Sequence, residues 1–166
     1  MSMVLKALAG AVLFATLCGA PGAAGAQQVI FLIRHAEQTS GPEIVLTEVG
    51  HRRAAALAHR LKDAGIAAIF TTDAVRTQET AGPTAKALGI QPKVTPMQDI
   101  DGLVKRVRAE HPHDRVLIVN HALNVRAILK AFGHPEGIAV ARDDYEPLFV
   151  IVPRPEAPPI VVMLRL

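Results

Sequence analysis

The chain has 166 residues, half of them apolar, with five Phe, one Tyr, no Trp and a formal net charge of +3. That length suits one domain of ordinary size, and its core has to be built from Ala, Val, Leu and Ile, which favours helices packed on a buried, mostly parallel sheet. So small a charge, with no clustered basic stripe and no aromatic residues interleaved for base stacking, argues against a nucleic-acid partner.

The first segment reads as something other than fold. Lys6 gives a short positive region, residues 7–18 form an apolar run without charge, and Ala24-Gly25-Ala26 is a small-residue cleavage site. Together they predict a secretory signal peptide over 1–26, cut after Ala26, with the domain over 27–166. The alternative is an uncleaved anchor, for which the apolar run is shorter than the roughly 20 residues a spanning helix needs. Cleavage predicts a secreted or periplasmic protein with no stable membrane association. Cys18 is the only cysteine, so the mature chain would enter an oxidising compartment without disulfides. The oligomeric state is left open.

In the remaining chain, 29–33 is a five-residue aliphatic run and predicts a buried strand. Residues 40–42 predict a turn. Thr47 is a helix N-cap, 48–64 a helix rich in Ala, Leu and Arg, and Gly65 its C′ residue. A short strand follows over 67–70, then a short helix over 83–88 with Pro83 in its first turn and Gly89 behind it. Residues 93–94 predict a short strand, 103–110 a helix, 116–119 a strand and 123–132 a helix. Two final strands, 148–152 and 160–164, flank a Pro-rich connection. The alternation implies an α/β three-layer sandwich with a mostly parallel central sheet, helices on both faces, and an antiparallel pair at one edge.

On that frame the unusual polar residues converge. Arg34 and His35 directly follow the first strand, Thr71, Thr72 and Arg76 follow the second, and Asn120 and His121 follow the strand beginning at Val116. Ligands of open α/β sheets bind at the carboxyl ends of the strands. Two Arg and two His gathered there make a cationic pocket suited to phosphate, which Arg recognises bidentately. The helix that begins after His121 can add backbone N–H groups, Ala122 among them. There is no Gly-rich phosphate loop, no Gly-x-Ser-x-Gly elbow and no candidate Cys, which leaves histidine as the nucleophile.

These motifs resemble the histidine phosphatase superfamily, the phosphoglycerate-mutase-like group. Phe31-Leu32-Ile33-Arg34-His35-Ala36-Glu37 stands where the family has Arg-His-Gly after its first strand. Leu46-Thr47-Glu48-Val49-Gly50 matches Leu-Thr-x-x-Gly, and the run from Thr71 through Arg76 to Thr80-Ala81 matches the turn leading to Arg-x-x-x-Thr-Ala. The strand ending in Asn120-His121 matches the last signature. The resemblance implies a metal-independent phosphomonoesterase without a cofactor, acting on a small phosphorylated substrate. It implies His35 as the nucleophile, with Arg34, Arg76 and His121 binding the phosphoryl oxygens.

Three departures matter. Ala36 replaces the family's Gly. Leu123 falls where many members have Asn. The segment between Val94 and Leu103 is short, where larger members carry an insertion that supplies the general acid. Asp99 is the preferred acid, with Asp101 and Glu37 as alternatives; both aspartates also suit helix capping. His111 and His113 read as a turn before a strand rather than a metal pair. Two other functions compete with a phosphatase: a non-catalytic phospho-ligand-binding protein of the same fold, and a phosphotransferase or mutase.

Overall fold

The computed structural model describes residues 28–166, so the signal peptide expected over 1–26 lies outside the described residues. Along the chain run β1 (Val29–Arg34), α1 (Glu48–Leu61), β2 (Ile66–Thr72), α2 (Val75–Leu88), β3 (Lys93–Thr95), α3 (Ile100–Glu110), β4 (Arg115–Asn120), α4 (Ala122–Ala131), β5 (Pro147–Val152) and β6 (Ile160–Arg165). The strands form one six-stranded sheet in the order β3-β2-β4-β1-β5-β6. The first four in that order are parallel, whereas β5 runs antiparallel to β1 and β6 antiparallel to β5. This is the three-layer sandwich with an antiparallel edge pair that the sequence predicts.

The aliphatic runs become central strands because both of their faces are covered. Ile30, Leu32, Val116, Ile118, Ala68 and Phe70 point to one side, against Leu103, Val104 and Val107 of α3 and Val125, Ile128 and Leu129 of α4. Ile33, Leu117, Val119 and Ile69 point to the other, against Leu57 and Leu61 of α1 and Ala81 and Ala85 of α2. Alternate side chains of a strand face opposite layers, so a strand buried on both faces has no polar alternation to show.

Thr47 caps α1 as expected, its hydroxyl accepting from Gly50 N at 3.1 Å. The helix ends earlier than predicted, at Leu61, with Gly65 left-handed at φ 65° after a short turn. The larger difference is α2. It begins at Val75, two turns before the expected start, and places Pro83 inside the helix rather than in its first turn. Thr77, Thr80 and Thr84 are buried along its inner face, where β-branched side chains lower helix propensity. Tertiary packing outweighs that preference and the amide N–H missing at Pro83. As a result Arg76 sits in the first turn of a helix instead of in a loop.

Candidate active site

The register of the sheet sets the site. Arg34 pairs with Asn120 at the ends of β1 and β4, and His35 N continues the ladder by donating to Asn120 O at 2.8 Å. His35 and His121 therefore leave the sheet side by side, with ring centroids 5.4 Å apart. Both are buried. His35 Nδ1 lies 2.8 Å from Ala36 O. A carbonyl only accepts, so Nδ1 carries the proton and the neutral ring keeps its lone pair on Nε2. Burial, reinforced by the charges of Arg34 and Arg76 and opposed by the Ala36 hydrogen bond, lowers the His35 pKa to about 4. The ring is neutral at neutral pH, the state a nucleophile requires.

His121 has the opposite tautomer. Arg76 Nη2 donates to its Nδ1 at 3.2 Å, so the proton sits on Nε2 and is donated to Thr72 Oγ1 at 3.0 Å. Thr72 Oγ1 in turn lies 2.9 Å from Thr77 Oγ1, which donates to Ala74 O at 2.7 Å. Burial again dominates, with the Arg76 charge next and His35 after it, and lowers the His121 pKa to about 4.

Arg34 is buried and held from the far end of the chain. Its Nη1 donates to Arg142 O at 2.7 Å and reaches the carbonyls of Ala141 and Asp144 at 3.3 Å, while its guanidinium carbon stacks 3.7 Å from the centre of the Tyr145 ring. The Nε atoms of Arg34 and Arg76 are both buried without a hydrogen-bond partner among the described residues. A buried guanidinium N–H is costly to leave unpaired, and two of them at one site suit an anion with several oxygens.

A cavity of about 540 Å³ opens here, lined by Arg34, His35, Arg76 and His121. Ala122 and Leu123 from the first turn of α4, Gln38, and Val140, Arg142 and Tyr145 from the segment before β5 complete it. The structure thus brings together five residues expected at the site: Arg34, His35, Arg76, His121 and Ala122. It does not bring in the expected acids. Asp99 is the N-cap of α3, its carboxylate accepting from Gly102 N at 2.9 Å, and it does not line the cavity; neither does Asp101. Glu37 is clamped by Arg53, with Arg53 Nη2 at 2.7 Å and Nε at 3.0 Å from its carboxylate oxygens. Burial favours the protonated form of Glu37, but the Arg53 hydrogen bonds outweigh it and the net shift is downward. A carboxylate held ionised in this way is a poor proton donor.

The departures in sequence also find places. Ala36 is buried with Leu46 and Ala54, and its N–H donates to Thr80 Oγ1 at 2.9 Å. Leu123 is 75% exposed beside the cavity. Asn124 is buried, and its amide bonds Met97 O at 2.8 Å and Asn120 Oδ1 at 2.9 Å, so it braces the strand end rather than lining the cavity. Sequence reasoning missed Tyr145 and Arg142. The only tyrosine of the chain, set in a charged run just before a strand, was the available signal. His111 bonds Asp114 at 2.8 Å and Lys93 at 2.9 Å, and among the described residues there is no group of three or more His, Cys, Asp or Glu that could hold a metal ion.

The three-layer α/β sandwich carries a cavity at the carboxyl ends of its parallel strands, lined by three arginines and two histidines, a lining suited to an oxyanion. The family model of the histidine phosphatase superfamily (branch 1) matches residues 30–101. Among solved structures, it is similar to mycobacterial glucosyl-3-phosphoglycerate phosphatase in complex with VO3, at TM-score 0.62 and 15% identity over 81% of this chain and 96% of that one. It is similar to phosphoserine phosphatase of Entamoeba histolytica in complex with 3-phosphoglyceric acid, at TM-score 0.62 and 13% identity over 82% and 96%. SixA of Agrobacterium tumefaciens gives TM-score 0.62 and 19% identity over 83% and 97%. The chain is also 37% identical over 85 residues to the PE-PGRS family protein PE_PGRS11 of Mycobacterium tuberculosis, and the match spans only 15% of that protein's length.

Proposed function

We propose that this protein is a phosphatase that hydrolyses a phosphomonoester through a phosphohistidine intermediate on His35. The observation that carries the reading is the His35 ring itself, buried and neutral, with Nδ1–H tied to Ala36 O and Nε2 left as the nucleophilic nitrogen beside two unpaired arginine N–H groups. In the first step Nε2 forms a bond to phosphorus while the bond to the leaving oxygen breaks, its electron pair departing on that oxygen. Arg34, Arg76, His121 and the Ala122 end of α4 face the charge on the phosphoryl oxygens. In the second step water attacks phosphorus, the N–P electron pair returns to Nε2, and inorganic phosphate leaves. The superfamily and the phosphatases among the similar structures support this reading.

The experiment is phosphoenzyme trapping with 32P-labelled substrate. Acid-labile, base-stable label should appear on the wild-type protein and vanish in His35→Ala, together with turnover of p-nitrophenyl phosphate and with the fold retained. Turnover by the variant, or a wild-type protein that binds phosphate without turnover, sinks the nucleophile and favours the binding-protein reading. We further propose that residues 1–26 direct export and that the domain over 27–166 acts outside the cytoplasm. Mass spectrometry of extracytoplasmic material should find Gln27 as the N-terminus.

A further inference from the structure

No Asp or Glu lines the cavity, and most of the acids around it are held by other partners. Glu37 is held by Arg53. Glu79 accepts from Leu46 N at 2.7 Å. Asp144 and Glu146 are bridged by Arg165, at 3.1 and 2.7 Å. Glu37, Asp143, Asp144 and Glu146 share a separate hollow with Arg53 and Arg165, and Tyr145 lines both that hollow and the cationic cavity. Asp73 influences the charge of His121 but is exposed and does not line the cavity. Residues 1–27 contain no Asp or Glu, so no carboxylate can enter from there.

The same cavity holds a third arginine. Arg142 lines it, its carbonyl is fixed by Arg34 at 2.7 Å, and among the described residues its side chain forms no ion pair. The lining therefore offers a third arginine without an ion-pair partner and no Asp or Glu to protonate a departing group.

We infer that the substrates are phosphate anhydrides, acyl phosphates and phosphoanhydrides, whose leaving group departs as a carboxylate or phosphate anion received by Arg142. This rests on the phosphatase reading: it keeps the phosphohistidine on His35 and exchanges the phosphomonoester for an anhydride. When His35 Nε2 forms its bond to phosphorus, the P–O bond breaks and the electron pair stays on an oxygen that is already a stable anion, so no proton has to be delivered. An alkoxide would need one, and general acid help is typically worth about 10²–10⁴ in rate. In this cavity that contribution is missing.

The test compares kcat/KM of the purified protein for acetyl phosphate and pyrophosphate with that for glycerol 2-phosphate and O-phosphoserine, alongside trapping of the phosphoenzyme. The anhydrides should be preferred by at least about 100-fold, the lower end of that acid contribution. Arg142→Met should lower kcat/KM for pyrophosphate more than for p-nitrophenyl phosphate, whose leaving group carries no second charged oxygen. A gap smaller than 100-fold, with phosphohistidine still trapped, overturns the inference and leaves the phosphatase reading standing. An equal effect of Arg142→Met on both substrates overturns the role of Arg142. No phosphoenzyme and no turnover of any of these compounds overturns both readings.

Discussion

Thr72 Oγ1 lies 3.0 Å from His121 Nε2 and accepts from it, on the opposite side of the ring from the Nδ1 that accepts from Arg76. Both residues are buried. Thr72→Val keeps the shape but removes the acceptor, leaving the Nε2–H unpaired, at a cost of about 1–3 kcal/mol. The ring can then move its proton to Nδ1 only by facing it toward the Arg76 guanidinium. The expected outcome is loss of a single Nε2–H tautomer in 15N spectra of the ring, together with a fall in kcat, and restoration of both by Thr72→Ser. A Val variant with the wild-type tautomer and kcat would show that Thr72 only fills space.

Arg76 is asked to do two things at once, donate to His121 Nδ1 through Nη2 and offer its buried Nε to an anion. Lysine keeps the charge but presents one point donor instead of a planar fork. Arg76→Lys should therefore be nearly as damaging as Arg76→Ala, each losing about 10–100-fold in kcat/KM if one or two charge-assisted bonds are lost. A lysine variant close to wild type in rate would remove Arg76 from the phosphate contacts.

The two histidines also make stability depend on pH. In the unfolded chain they take up protons below about pH 6.5, whereas in the fold each stays neutral down to about 4. Between those values the unfolded state binds more protons, so stability rises with pH through that window and is lost as pH falls from 6.5 toward 4. The loss is on the order of 3 kcal/mol for each histidine at most, and less than twice that for the pair because the two rings interact. Thermal unfolding between pH 4 and 7 checks this. His35→Asn should flatten the profile, and inorganic phosphate, which favours protonated rings, should flatten it as well. A Tm that does not fall as the pH is lowered through this range would contradict the buried, neutral rings.

How much of this could be read from the sequence depended on the reach of each signal. β1 and β4 are buried on both faces, so 29–33 and 116–119 show as unbroken aliphatic runs and carry His35 and His121 with them. The first half of α2 was hidden because Thr77, Thr80 and Pro83 speak locally against a helix. In the fold the Thr80 hydroxyl accepts from Ala36 N at 2.9 Å. The segment that supplies Arg142 and Tyr145 has no periodicity. It is placed by carbonyls bonded to Arg34, more than 100 residues away in sequence, a relationship no local pattern encodes. Asp99 is ambiguous in sequence for a related reason: a carboxylate just before a helix can be a proton donor or a cap, and the structure shows it capping α3 outside the cavity lining.

Asp99→Asn tests that separation. The carboxylate accepts from Gly102 N at 2.9 Å and is exposed. A general acid has to deliver a proton to the leaving oxygen, so replacing it with an amide would cut hydrolysis of alkyl phosphates by about 10²–10⁴ while sparing p-nitrophenyl phosphate, whose leaving group departs unaided. A cap makes no such distinction. Asn and Asp rank alike at this position, whereas Ala costs about 1 kcal/mol. The expected result is that Asp99→Asn leaves both the Tm and the ratio of the two activities unchanged, and that Asp99→Ala lowers the Tm without altering that ratio. A selective collapse of alkyl phosphate hydrolysis in the Asn variant would return Asp99 to the chemistry. It would require the segment over 96–99, tethered to α4 through Met97 O and Asn124, to move the carboxylate into the cavity when substrate binds.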